Sequence, residues 1–183
     1  SHPSWSPDGT SIAFIREGEA DTLYAVPSLG GPARQLYAAA SWIQSLDWSP
    51  AGETIVFSAR HPGDESLRLF SLDLATGEAL PLTDAAPAFQ SDYSPRVSPD
   101  GRRIAFVRRG RAGDRDLYLL DLATKRVAPL TKNQLGIQGL DWSGDDELVF
   151  SSFRSGTYGL WKLDVNTGAL RWVPTRGERI YHP

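Results

Sequence analysis

Apolar and polar positions along this chain fall into one phrase, written four times. A large hydrophobic anchor precedes a turn-forming tetrapeptide in Trp5-Ser6-Pro7-Asp8-Gly9, Trp48-Ser49-Pro50-Ala51-Gly52, Val97-Ser98-Pro99-Asp100-Gly101 and Trp142-Ser143-Gly144-Asp145-Asp146. A short β-branched and aromatic run follows: Ile12 to Phe14, Ile55 to Phe57, Ile104 to Phe106 and, as a variant, Leu148 to Phe150. Runs of this kind, bounded by turn residues, predict strands. After a polar connection comes a second apolar pair with one large aromatic, Leu23-Tyr24, Leu69-Phe70, Leu117-Tyr118 and Leu160-Trp161. Turn-forming segments come next: Ser28 to Gly31, Asp73 to Gly77, Asp121 to Lys125 and Asp164 to Gly168. The closing strands are Arg34 to Leu36, Leu80 to Thr83, Ala128 to Thr131 and Arg171 to Thr175; the prolines in the last three suit an outer edge, where a missing N–H breaks no ladder. Each copy thus predicts a four-stranded antiparallel sheet.

The anchors at positions 5, 48, 97 and 142 set a period of 43 to 49 residues. Several strands per unit at that period predict β-propeller blades. The expected fold is all-β, a propeller segment of four four-stranded antiparallel blades at about 3–40, 41–84, 89–133 and 136–177, with 178–183 opening a fifth copy. The chain begins Ser1-His2-Pro3 and ends Tyr181-His182-Pro183, the same point of the phrase. Four complete units with no spare strand to interlock first with last favour an open arc of a larger ring. A homodimer completing an eight-blade ring is the alternative. Methionine is absent, even at position one, which suggests a processed or excised segment.

The Ser-Pro-Asp-Gly turn needs no functional explanation. Proline presets φ, aspartate tolerates the next position and glycine takes the left-handed one, which makes Asp8 and Asp100 turn formers. Trp142 to Phe150 spans eight positions where the other copies span nine, so a tighter turn is expected around Gly144-Asp145. Strand alternation predicts that Trp5, Trp48, Val97, Trp142 and Phe14, Phe57, Phe106, Phe150 fill the gaps between blades and dominate packing.

These residues resemble the WD40-like repeats of the TolB type, with their P-x-W-S-P-D-G-x-x-I-A-F phrase, a later L-Y, and a closing L-T. The resemblance covers nearly the whole chain and is weakest at the first turn of copy four. It implies one of three roles: a periplasmic adaptor that binds protein partners, the gating propeller beside a prolyl-oligopeptidase-like serine peptidase domain, or the C-terminal sensor of a CadC-like winged-helix regulator. Copy four, Gly139 to Trp142 and Ser151 to Trp161, is most similar to the last group.

At 183 residues, 40% hydrophobic and 22% charged, the composition is that of a folded globular domain. A net charge of -3 gives no long-range pull on phosphate backbones, so nucleic acid is not an expected partner of this segment. The arginines at 102, 103, 108, 109, 111 and 115 are interleaved with Asp100, Asp114 and Asp116 and read as a solvated hairpin rim, with a patch for an anionic partner as the alternative. No cysteine is present, which excludes thiolate chemistry and disulfides. No run is long and apolar enough for a membrane span, so no membrane insertion is expected.

The chain carries no Gly-x-Ser-x-Gly elbow, His-Glu-x-x-His, P-loop or dinucleotide fingerprint. His61 lies in a polar connection, and His2 and His182 share a repeat position. No catalytic residue, metal site or cofactor is expected, and the chain reads as a non-enzyme. Propellers bind at the channel mouth, supplied by the first strand of each blade. Alignment on the anchors places Gln44, Tyr93, Gln138 and Tyr181 at one position there, with Asp47, Arg96 and Asp141 three residues on. Convergent polar groups of this kind could hold a protein or peptide partner or a small polar ligand. The expected role is recognition, as the sensor part of a regulator or a TolB-like adaptor, in the periplasm or, alternatively, the cytoplasm.

Overall fold

The computed structural model describes residues 3–61, 63–84, 90–110, 113–132, 136–153 and 156–174. Tyr181 and the expected fifth copy at 178–183 lie outside the described residues. Sixteen strands form four four-stranded antiparallel sheets, each connected in sequence order. Blade 1 holds β1 (Ser4–Trp5), β2 (Ser11–Arg16), β3 (Thr22–Pro27) and β4 (Arg34–Ala38). Blade 2 holds β5 (Ile43–Trp48), β6 (Thr54–Arg60), β7 (Leu67–Asp73) and β8 (Ala79–Pro81). Blade 3 holds β9 (Ser91–Val97), β10 (Arg103–Arg109), β11 (Arg115–Asp121) and β12 (Val127–Pro129). Blade 4 holds β13 (Gln138–Trp142), β14 (Glu147–Ser152), β15 (Gly159–Asp164) and β16 (Leu170–Val173). These are propeller blades, and their extensive contacts run only between consecutive sheets.

Local chemistry sets the turns. Ser6 Oγ donates to Asp8 Oδ1 at 2.6 Å and accepts from Ser11 N–H at 2.9 Å, while Gly9 takes φ 69°. Ser98, Asp100 and Gly101 repeat this arrangement. In copy four Ser143 N–H reaches Glu147 O, one residue nearer than the Ser6 to Ser11, Ser49 to Thr54 and Ser98 to Arg103 bonds, so the turn is tighter as its spacing predicts. The closing strands are shorter than expected in blades 2 and 3. There Thr83 and Thr131 leave the ladder, and their Oγ1 atoms accept from Leu69 N–H at 3.0 Å and Leu117 N–H at 2.9 Å.

Three apolar clusters lie between the sheets. One joins Ala13, Ile15 and Leu23 of blade 1 to Phe57 and Phe70 of blade 2; the next joins Val56 and Leu69 of blade 2 to Phe106 of blade 3; the third joins Val107 and Leu117 of blade 3 to Phe150 of blade 4. Each central-strand phenylalanine therefore faces the preceding blade, and its chain neighbours face the following one. That explains why β6 is buried at five successive positions, whereas β2 alternates. It also corrects two of the eight expected seam residues. Trp5 is 59% exposed and Phe14 is half-buried, because both lie on the face of blade 1 that no described sheet covers. Trp48 and Trp142 instead donate Nε1–H across a seam, to Ser4 O at 3.2 Å and Arg96 O at 2.9 Å.

Candidate functional site

The innermost strands of blades 2 to 4 are not regular. Each loses register with its neighbour at one place: between Ile43 and Ser45 in β5, between Tyr93 and Arg96 in β9, and between Gln138 and Leu140 in β13. An extra residue there bends the strand and re-aims the side chains beside it. Gly139 meets the demand with φ 59°, whereas Ser94 adopts φ 52° with a side chain in place. A non-glycine residue held in the left-handed region costs on the order of 1–2 kcal/mol. Blade 2 supports that backbone, since Ser45 Oγ accepts from Ser94 N–H at 2.9 Å and also bonds Ser58 Oγ at 2.8 Å.

The bulges bring Gln44 and Tyr93 to one cleft of about 210 Å³ between blades 2 and 3, together with Trp42, Arg60, Arg109 and Arg115. The starts of β5, β9 and β11 and the end of β6 and β10 converge there, which places the cleft at one edge of the sheets. Burial raises the Tyr93 phenol above its ordinary range, against the pull of the Arg115 and Arg109 charges, so the hydroxyl stays protonated. Beside it, Asp92 is fully buried and accepts two bonds from Arg108, Nε at 2.6 Å and Nη2 at 2.8 Å. Arg109, the next residue along β10, lines the cleft.

The other expected residues occupy different settings. Asp47 is a clamp between blades: its Oδ2 accepts from Val97 N–H at 2.9 Å and its Oδ1 from Ser4 Oγ at 3.4 Å. Burial raises its carboxyl above the ordinary value, opposed by the Val97 N–H and the Arg96 charge and reinforced by Asp141. Arg96 turns Nη1 back to Pro95 O at 2.7 Å. Gln138 donates Nε2–H to Tyr158 OH at 3.0 Å at the exposed rim of blade 4, and Asp141 accepts from Trp142 N–H at 2.9 Å. Gln44 and Tyr93 therefore meet in one cleft, Asp47 and Arg96 sit along the adjoining seam, and Gln138 and Asp141 lie on blade 4.

Sequence reasoning passed over Trp42 and Arg60, and it placed Arg109 and Arg115 in a hairpin rim rather than beside Gln44 and Tyr93. One signal could have found part of this set, because Arg60 and Arg109 each stand three residues after the blade phenylalanine, Phe57 or Phe106. The described residues include no cluster of three or more histidine, aspartate or glutamate side chains that could hold a metal.

Comparison with known proteins accords with this geometry. Residues 1–158 match the family model described as the lipoprotein LpqB beta-propeller domain. The Tol-Pal system protein TolB of Francisella tularensis is 29% identical over 126 residues, covering 68% of this chain and 28% of that protein. The uncharacterized peptidase YuxL of Bacillus subtilis is 31% identical over 157 residues, covering 82% of this chain and 21% of its own length. The crystal structure of TolB from Acinetobacter baumannii superposes with a TM-score of 0.77 at 22% identity, over 94% of this chain and 42% of that one. The chain thus spans less than a third of the length of these two sequence relatives.

Proposed function

Because the chain belongs to the lipoprotein LpqB β-propeller domain family, we propose that it is a non-catalytic recognition module that holds a protein or peptide partner at the bulged edge of its inner strands. The observation that carries this reading is the strained, buttressed bulge at Ser94, directly beside Tyr93, which lines a cleft shared with Gln44. Backbone strain held by a neighbouring blade is common at binding sites and supports this reading. Register shifts recur in the inner strands of three blades, which supports this edge as the binding edge. A periplasmic adaptor or sensor role accords with the TolB-type resemblance.

Photo-crosslinking separates this from its rival. A photoreactive residue at Gln44 or Tyr93 is expected to capture a discrete protein, whereas one at Thr76 or Thr167, on the opposite edge of the sheets, is not. Equal capture from both edges, or none from Gln44 and Tyr93, refutes the reading. The similarity to peptidase YuxL favours a second reading, an accessory propeller gating a peptidase domain. In that case the same probes would crosslink to a hydrolase domain of the same polypeptide.

A further inference from the structure

Arg109 and Arg115 are direct cross-strand partners at the mouth of the β10–β11 hairpin. Like charges placed opposite each other destabilise a sheet. Arg60, at the matching end of β6, brings a third guanidinium to the same cleft from the neighbouring blade. Among the described residues none of the three forms an ion pair, although other arginines of this chain do: Arg108 with Asp92, Arg103 with Asp146 and Arg68 with Asp64. Of the carboxylates nearest in sequence, Asp114 lies over Gly110, and Asp116 accepts from Thr131 Oγ1 at 3.0 Å. Among the described residues only Glu65 joins the cleft lining with opposite charge. Among the described residues, three positive groups against one negative group, in a chain whose net charge is -3, make a local positive site on an acidic molecule.

We propose that the cleft between blades 2 and 3 binds a carboxylate side chain of an acidic peptide. Arginine forks match carboxylate geometry and form charge-assisted hydrogen bonds, which suits a site with three of them from three strands. The protonated Tyr93 hydroxyl supplies a further donor, and Trp42, 46% exposed, supplies an apolar wall for the residue beside the carboxylate. The cleft's volume of about 210 Å³ suits one acidic side chain and part of a neighbour rather than a folded domain. This rests on the recognition reading above and names the chemistry of what is recognised.

The test is fluorescence anisotropy with a labelled hexaglutamate peptide and its hexaglutamine counterpart, on the wild type and on Arg109→Gln, Arg115→Gln and, as a remote control, Arg34→Gln. Hexaglutamate is expected to bind at least tenfold more tightly than hexaglutamine, and less tightly as salt is raised. Loss of one charge-assisted bond predicts about tenfold weakening for Arg109→Gln and for Arg115→Gln, with Arg34→Gln unchanged. Without peptide, the two cleft variants are expected to melt at or above the wild-type temperature, because each relieves the opposed charges. Equal binding of the two peptides, or wild-type affinity in both cleft variants, overturns the proposal. Crosslinking from Gln44 and Tyr93 that persists after such a failure would leave the recognition reading standing without its acidic-peptide chemistry.

Discussion

Asp47→Ala removes the acceptor that joins three blades. Its carboxylate holds Val97 N–H at 2.9 Å in blade 3 and Ser4 Oγ at 3.4 Å in blade 1. A hydrogen bond to a charged group contributes about 1.5–3 kcal/mol, and the longer contact to Ser4 adds little. A loss of about 2–3 kcal/mol follows, which lowers the melting temperature of a domain this size by roughly 4–10 °C. Asp47→Asn keeps an acceptor for Val97 and drops the charge. Burial raises the Asp47 carboxyl above its ordinary 3.8, so the folded state binds the proton more tightly than the unfolded chain. Above the folded value the group carries its burial penalty in full, and that penalty is relieved as pH falls through the folded value towards 3.8.

Urea denaturation of the wild type and both variants, repeated between pH 7 and pH 4, reads these effects. Asp47→Ala is expected to be the least stable throughout. Asp47→Asn is expected to lie within about 1 kcal/mol of wild type at pH 7, as the loss of a charged acceptor and the loss of its burial penalty offset each other. The difference between wild type and Asn should then move in favour of wild type on acidification. An alanine variant as stable as wild type, or a difference moving the other way, would refute the reasoning.

Lys125 holds φ 58° at the turn position that Gly77 and Gly168 occupy in two other blades, so Lys125→Gly should raise stability by about 1 kcal/mol in thermal denaturation. Phe57→Ala and Phe106→Ala, both fully buried in seams, should cost about 3–5 kcal/mol, and Phe14→Ala distinctly less because its face is uncovered; calorimetry of the three variants ranks them. Glu147, bonded by Lys162, Arg171 and Ser143, is lowered to about 2. Its stabilisation is present above its ordinary 4.5 and lost as pH falls through about 2, so its side-chain carbon resonance should titrate near 2 rather than near 4.5.

Most of the fold was legible because turn chemistry and apolar pattern agree in every copy. The tighter turn of copy four could be read from a spacing of eight. Two seam residues were misjudged because periodicity tells which face a side chain takes, not whether a neighbour covers that face: Trp5 and Trp48 have the same place in the phrase and opposite surroundings. The site was half legible for the same reason. Repeat alignment placed Gln44 and Tyr93 together, yet it could not distinguish them from Gln138, whose partner is Tyr158 on its own blade. Asp47 was aligned with the channel-mouth set, and the sequence did not show that its hydrogen bonds run 50 residues forward and 43 back to tie three blades together. The arginine rim read as solvated because alternating signs hide which arginines pair. Arg108 and Arg109 are neighbours in sequence, yet one pairs with Asp92 and the other lines the cleft without an ion pair among the described residues.

Amide-resolved NMR during titration with hexaglutamate locates binding on the molecule without any substitution. The largest shifts are expected at Trp42 to Ser45, Ser91 to Arg96 and the hairpin ends at Arg109 and Arg115. Shifts concentrated at the Asp73 to Glu78 and Asp121 to Arg126 turns, on the opposite edge, or none above background, would contradict the assignment of the cleft between blades 2 and 3 as an acidic-peptide site.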